Sequence, residues 1–173
     1  VQGIDSISVS IPNDDFNGNN SKSVTQSVNN NTFSYSYGTV PIGAVGFNSS
    51  PGPGTGDFAA RFNTSVATAI SQVSVNFIAG GRPFQVGIWD ATGTGGTPGS
   101  LLFSSTIQTS VAGVFILPIL PAVQIAAGDF FVGVQQAGTL NVSFAYQNED
   151  PIRLNTFYLT QPSGGTVWTD LAP

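Results

Sequence analysis

The chain has 173 residues and a net charge of −5, and 8% of its residues are charged against roughly 25% in an average soluble protein. It contains no His, Cys or Met and only four basic residues, which excludes Ser-His-Asp and Cys-His catalysis and makes nucleic acid an improbable partner. No stretch approaches 18 uninterrupted apolar residues, so we expect no membrane insertion. Polar positions filled by Ser, Thr and Asn are typical of an extracellular protein, and we expect a processed N-terminus at Val1.

The first predicted element is a strand at residues 4–11. Three apolar residues alternate with serines there: Ile7, Val9 and Ile11. Such period-two alternation predicts a strand with one apolar face. Residues 12–31 follow and are dominated by Asn, Ser and Asp, which predicts a weakly structured polar connector. We therefore divide the chain into residues 1–31, a strand on a connector, and residues 32–173, a β-sandwich body.

Two interpretations of this order remain open. In the first, the strand is an edge strand followed by a long surface loop, with a weak strand at Ser23–Val28. In the second, the strand completes the sheet of a neighbouring subunit, with Ile7, Val9 and Ile11 as anchors. Pairing of Ile7 within its own chain would remove the main support for the second interpretation and favour sugar binding.

The connector also contains a weak calcium candidate. Asn13, Asp15 and Asn17 place oxygen atoms at alternate positions ahead of Gly18, as the start of an EF-hand loop does. The twelfth position of that loop needs a bidentate Glu, and here it is Val24. An ordinary polar turn is the alternative.

Acceptor sequons for N-linked glycans form a further pattern. They occur at five positions: Asn19, Asn30, Asn48, Asn63 and Asn141. Sequences rich in Asn, Ser and Thr also generate such triplets by chance. Their placement in connectors and on the solvent side of strands favours use, and we expect Asn63 or Asn141 to carry sugar before any buried site.

Short alternating segments separated by Gly and Pro turns continue to the C-terminus. Strands are predicted near residues 33–37, 58–62, 73–77, 84–88, 130–134, 140–146, 156–160 and 166–168. The spacing of Val66, Ile70 and Val73 allows at most one helical turn. About ten short strands indicate an all-β fold, an antiparallel, jelly-roll-like β-sandwich.

Several turn-and-strand motifs of the body resemble those of a class of secreted bacterial β-sandwich modules. The motifs are Ala60-Arg61-Phe62, Gly87-Ile88-Trp89-Asp90, Gly96-Thr97-Pro98-Gly99, Leu101-Leu102 and Ala127-Gly128-Asp129-Phe130-Phe131-Val132-Gly133-Val134. The resemblance covers residues 57–173. It implies an adhesive, sugar-binding or spacer unit of a surface protein, and it says little about activity.

The acidic residues favour no catalytic pair. A two-carboxylate glycosidase mechanism needs two facing acids, whereas Asp90, Asp129 and Glu149 lie next to predicted turns, where carboxylates form turn hydrogen bonds. We therefore expect neither an enzyme nor a cofactor.

Aromatic side chains are the candidates for sugar stacking. Alternation places Trp89 on the face opposite Phe84, Val86 and Ile88, so it points outward if those three fill the core. Trp168 and Tyr158 are similar candidates. The alternative is that aromatic residues at strand ends cap the core or form a subunit contact.

These observations favour a structural subunit of an extracellular filament or surface assembly. Its partners are copies of itself joined by N-terminal strand donation, and glycans decorate it. The alternative is a carbohydrate-binding or adhesive module of a larger secreted protein. A minor capsid or appendage protein is a third hypothesis.

Overall fold

The computed structural model describes residues 3–28, 31–36, 41–50 and 52–173; for residues 24–28 it describes the backbone only. Its contacts divide the chain into two units, Val1–Tyr35 and Ser36–Pro173. The strands pair in antiparallel fashion throughout these ranges, and the helical content is limited to two single 3-10 turns at Asn17–Asn19 and Thr94–Gly96. The prediction of an all-β antiparallel fold is therefore confirmed.

The first unit is a β-hairpin. Strand β1 (Gly3–Ser10) pairs with β2 (Ser21–Val28), with Ile7 opposite Val24 and Val9 opposite Lys22. The strand considered at residues 23–28 is thus present and begins two residues earlier. Ile7 pairs within its own chain, so β1 is not a single free strand.

The turn between β1 and β2 is fixed by its own polar groups. The Ile11 amide donates to the Asn20 carbonyl at 2.9 Å, which closes the turn. The Asn20 side-chain amide donates to the Pro12 carbonyl at 3.1 Å, and the Asp14 carboxylate accepts the Phe16 amide at 2.8 Å. This part of the predicted connector is therefore a defined turn and not a weakly structured linker, because Asn and Asp side chains satisfy backbone groups locally.

Eleven strands form the described part of the second unit. They are β3 (Gly43–Val45), β4 (Gly56–Thr64), β5 (Thr68–Phe77), β6 (Pro83–Asp90), β7 (Leu101–Ser104), β8 (Gln108–Thr109), β9 (Gly113–Ile125), β10 (Gly128–Gln136), β11 (Phe144–Tyr146), β12 (Phe157–Thr160) and β13 (Thr169–Asp170). A seven-stranded sheet has the order β13-β12-β4-β10-β6-β7, and β8 also pairs with β6. A four-stranded sheet has the order β3-β11-β5-β9.

The two sheets of the second unit pack face to face over one apolar core. Phe84, Val86 and Ile88 of β6 are fully buried there, as their alternation predicts. They pack with residues of the four-stranded sheet, among them Phe77 of β5 and Ile119 of β9. The arrangement is that of a β-sandwich; a jelly-roll connection of its strands stays a prediction.

Three predicted elements differ in the structure. Residues 31–36 contain no strand, and residue 37, the end of the strand predicted at 33–37, lies outside the described residues. The strand predicted from residue 140 begins only at Phe144, because the Asn141 side chain accepts the Ser143 amide at 2.8 Å and Ser143 has a φ of 56°. The region of residues 66–73, where one helical turn was allowed, contains none, and from Thr68 it belongs to strand β5, which pairs with β9 there.

Strands β3, β7, β8 and β9 were not predicted. The β9 sequence, GVFILPILPAVQI, is almost uniformly apolar and contains two prolines, so it lacks the alternation on which strand prediction depends. The closing strand predicted at residues 166–168 lies at Thr169–Asp170 instead.

Candidate functional site

The first candidate surface is the apolar face of the hairpin, formed by Ile7, Val9 and Ile11. These residues are 55%, 63% and 54% exposed. They alternate along the strand and therefore share one face. The sequence predicts that they are buried in a sheet, whereas in the single chain they belong to or flank a two-stranded sheet and are exposed.

The opposite face of the hairpin is polar. The hydroxyl groups of Ser8 and Ser23 lie 2.7 Å apart across the two strands. Ile4 is the one large apolar residue that β1 places among these serines, and it is 76% exposed. The hairpin therefore has a hydroxyl-rich face, on which Ile4 supplies an exposed isoleucine. On the other face Ile7, Val9 and Ile11 lie beside the exposed charged side chains of Asp5 and Lys22.

The three calcium candidates lie in the turn between β1 and β2. Asn13, Asp15 and Asn17 are all exposed. The Asn17 side-chain oxygen accepts the Asp14 amide at 3.2 Å and the Asn20 side-chain amide at 3.0 Å, so it already serves the turn. Over the ranges that the structure describes, no group of three or more His, Cys, Asp or Glu side chains is placed to hold a metal ion.

The second candidate surface is the edge of β9 in the body. Strand β9 pairs with β5 on one side, and no described strand pairs with its other side. Val114 and Ile116 are 61% and 56% exposed on the outer face, whereas Phe115 and Leu117 are half-buried against the core. The β9 sequence contains no charged residue. It therefore lacks the charged side chains that natural proteins commonly place along an edge strand.

A cavity lies where the C-terminal end of β9 meets β7. It has a volume of about 260 Å³ and is lined by Leu102 of β7 and by Gln124 and Ile125 of β9. The cavity therefore borders the last residues of β9 and not the segment from Gly113 to Leu117.

The aromatic sugar-stacking candidates lie together on the outer face of the seven-stranded sheet. Trp89 points away from Phe84, as predicted, but it is only 4% exposed. Its ring makes an edge-on contact with Trp168 at a centroid distance of 5.5 Å. Tyr158 is buried against Phe131 at 5.6 Å. The rings of Trp89 and Tyr158 thus form a second small core, and Trp168 is the half-buried member of the set.

The two carboxylates at the end of this sheet differ in role. Hydrogen bonds from Arg61 and Asn63 of β4 lower the pKa of Asp129, and the Asn63 amide lies 2.7 Å from the carboxylate. Asp129 therefore links two adjacent strands, and the prediction that it forms turn hydrogen bonds is not met. Burial alone raises the pKa of Asp90, but hydrogen bonds from Thr92 and Ser100 outweigh it and lower the pKa, so Asp90 serves its turn as predicted.

Asp57 is the buried carboxylate of the outer face. It accepts hydrogen bonds from the Ser163 hydroxyl, from the Gly164 amide at 2.9 Å and from the Gln135 side chain at 3.4 Å. Burial nevertheless raises its pKa above the ordinary value. Sequence reasoning gave Asp57 no role, because its burial depends on residues more than 70 positions away.

The sequon asparagines have different surroundings. Asn19 and Asn48 are exposed in loops, and Asn63 is exposed on β4. The side-chain nitrogen is the atom that accepts a glycan. In Asn63 that nitrogen donates to Asp129, and in Asn141 it donates to the Gly46 carbonyl at 3.2 Å. Asn30 lies outside the described residues.

A scan against protein families and searches of curated proteins and of solved structures find no match to this chain. Among the described residues there is no helix of the length and apolar character needed to cross a membrane. The function therefore has to be argued from the surfaces above.

Proposed function

We propose that the chain is a structural subunit of an extracellular assembly and that copies of it are joined through the N-terminal hairpin. The observation that supports this most directly is the exposed apolar face formed by Ile7, Val9 and Ile11. It refines the hypothesis drawn from the sequence: the donated element is the hairpin and not one free strand, because β1 is already paired with β2.

An isolated hairpin needs a partner layer. Two-stranded sheets are marginally stable in water unless they pack against something else. Burying three large aliphatic side chains contributes on the order of 4–8 kcal/mol before the cost of ordering the groups. Covering the apolar face of the hairpin therefore gives a clear energetic reason for association.

The burial of the aromatic rings favours assembly over sugar binding. A sugar-stacking site needs an accessible ring face, and Trp89 and Tyr158 are 4% and 3% exposed. Pairing of Ile7 within its own chain weakens the hypothesis of simple strand donation and favours the sugar-binding alternative. The aromatic rings on which a sugar would stack are, however, buried against other residues of the same chain. A low charge also suits a surface that contacts copies of itself.

Glycans and an extracellular location complete the proposal. Asn19 and Asn48 are exposed loop sequons that can carry sugar without disturbing a strand. The resemblance of residues 57–173 to secreted bacterial β-sandwich modules supports the same location. A hydroxyl-rich and amide-rich surface remains soluble outside a cell with few ionised groups.

The test compares two isoleucines of one strand. Ile7→Ser removes an anchor from the apolar face, whereas Ile4→Ser changes a more exposed isoleucine on the serine face. We expect full-length protein to self-associate in sedimentation velocity and to form polymers in negative-stain images. Ile7→Ser should weaken association by roughly tenfold, since one buried aliphatic side chain contributes about 1.5 kcal/mol or more. Ile4→Ser should leave it unchanged.

Two results would contradict the proposal. One is a full-length chain that stays monomeric at every concentration tested. The other is an equal effect of both substitutions, since that would mean that the apolar face of the hairpin is not the contact.

A further inference from the structure

We propose that the free edge of β9, from Gly113 to Leu117, receives the hairpin of the next copy. This rests on the proposed function and names the surface to which the hairpin binds. The occupant is a second copy of this chain, and the contact is made by adding a strand to the sheet.

The edge of β9 is the longest in the described part of the second unit. The other edge strands are β3, β7, β8 and β13, which have between two and four residues each. Strand β9 has 13 residues and pairs regularly with β5 from Gly113 to Pro118. In an antiparallel pair, alternate residues direct their N–H and C=O groups away from the partner. These groups give an added strand main-chain hydrogen bonds.

Proline sets the end of the available edge. Pro118 has no amide hydrogen to donate. Beyond it the pairing with β5 shifts register between Ile70 and Gln72, and Leu120 is 88% exposed. An added strand therefore aligns with the five residues before Pro118, a length that the eight residues of β1 can cover.

The side chains of the two surfaces match when the apolar face of the hairpin turns toward the core. Phe115 and Leu117 face the core but remain half-buried, because no described strand lies beyond β9. A strand added there continues both faces of the sheet with period two. Ile7 and Val9 then extend the row of Phe115 and Leu117, and the serines extend the outer row.

The packing of Phe115 gives the same orientation. Its ring makes an edge-on contact with the fully buried Phe84 at a centroid distance of 5.3 Å. A strand added beside β9 with Ile7 and Val9 inward continues this apolar row. Lys22 lies on β2, one strand farther from β9, so its ammonium group can stay at the solvent-exposed rim. The reverse orientation would set Ser8 beside the core and leave Ile7 and Val9 in water.

The chain length permits contact between copies. Residues 29–42 separate β2 from β3. Fourteen residues span at most about 45 Å, which is more than the width of a small domain. Because the hairpin and the β9 edge are different surfaces, the contact is heterologous, and its repetition builds an open filament rather than a closed pair.

The absence of cysteine from the sequence allows a direct test. One batch of protein carries Ser8→Cys and a second carries Ile116→Cys, and the two are mixed under oxidising conditions. We expect a covalent dimer whose mass is the sum of the two chains. A mixture of Ser8→Cys with Val167→Cys is the matched control, since Val167 is 81% exposed and far from β9 in the sequence.

A charge on the edge is the second arm of the test. Ile116→Lys places a charge on the outer face of β9, whereas Ser74→Lys places the same charge opposite it on β5, one strand inward. Both positions are exposed, so folding should survive. We expect Ile116→Lys to weaken association at least tenfold in sedimentation velocity and Ser74→Lys to change it less than twofold.

The outcomes separate this inference from the proposed function. If the chain assembles and Ile7→Ser disrupts it, but Ile116→Lys has no effect and no cross-link forms, the hairpin binds elsewhere and β9 is not its acceptor. If a chain with both cysteines closes on itself while the mixture gives no dimer, the hairpin binds its own body. That result would overturn both proposals, as would a full-length chain that never associates.

Discussion

Asp57 gives the molecule a pH dependence that can be assigned to one residue. Its pKa is raised above 3.8 by burial, so the folded state holds the proton to a higher pH than the unfolded state does. As pH rises from the pKa of Asp57 in the unfolded chain to its higher pKa in the folded chain, the unfolded chain loses its proton first and folding stability falls. The carboxylate is retained because it anchors Ser163 and Gly164 to the seven-stranded sheet.

Asp57→Asn should therefore remove part of this dependence. The amide can keep the geometry, with its oxygen accepting from Gly164 and its nitrogen donating to Ser163. We expect the free energy of unfolding, measured by urea denaturation from pH 2 to 8, to fall less steeply above pH 3.8 in the variant. Asp129→Asn is the control of opposite sign: Asp129 has a lowered pKa, so its stabilisation is present above pH 3.8 and lost below it. Identical pH profiles for wild type and Asp57→Asn would contradict the assignment.

Gly133 lies where the seven-stranded sheet leaves no room for a side chain. A Cβ atom there would lie 1.8 Å from the Phe58 carbonyl oxygen of the adjacent strand. Since that atom belongs to the backbone, no side-chain movement relieves the clash. We expect Gly133→Ala to cost about 3 kcal/mol or more in thermal or urea unfolding. Gly128→Ala, which meets open space at a φ of 122°, should cost only about 1 kcal/mol. Similar losses for both variants would contradict the steric explanation.

At the scale of elements, alternation predicted the strands whose core-facing residues are aliphatic or Phe at every second position. The strands at Phe84–Ile88 and Phe130–Val134 were found in this way. Strand β9 could not be found in this way, since both of its faces are apolar and its ladder is interrupted near Pro118. Its role follows from its position at a sheet edge, which only the pairing of distant residues determines.

The hairpin shows a second limit of prediction from sequence. The alternation of Ile7, Val9 and Ile11 correctly gave a strand, but it could not give the partner strand. Strand β2 carries few apolar residues, and its register is set by the turn whose amide and carboxylate groups bond locally. The burial of Trp89 could not be predicted from the sequence either, because the ring that covers it belongs to Trp168, 79 residues away in the sequence.

At the scale of the whole molecule, the second unit carries its own core. The residues of both apolar clusters lie between Ala59 and Trp168, so the described part of the first unit contributes none of them. Each sheet of the body, over the residues that the structure describes, is built from strands that begin at Gly43 or later.

A chain that begins at Ser36 should therefore fold and yet fail to assemble. We expect its melting temperature to lie within a few degrees of that of the full-length monomer, since the core is intact, and its sedimentation to be monomeric at all concentrations. Adding a peptide of residues 1–28 should protect the amides of β9 from hydrogen exchange, because the hairpin then fills the free edge without linking copies. Residues 1–28 with Ile7→Ser and Val9→Ser provide the matched peptide control. A truncated chain that still polymerises would show that the contact between copies lies within the sandwich, and a truncated chain that unfolds would show that the hairpin belongs to its own body.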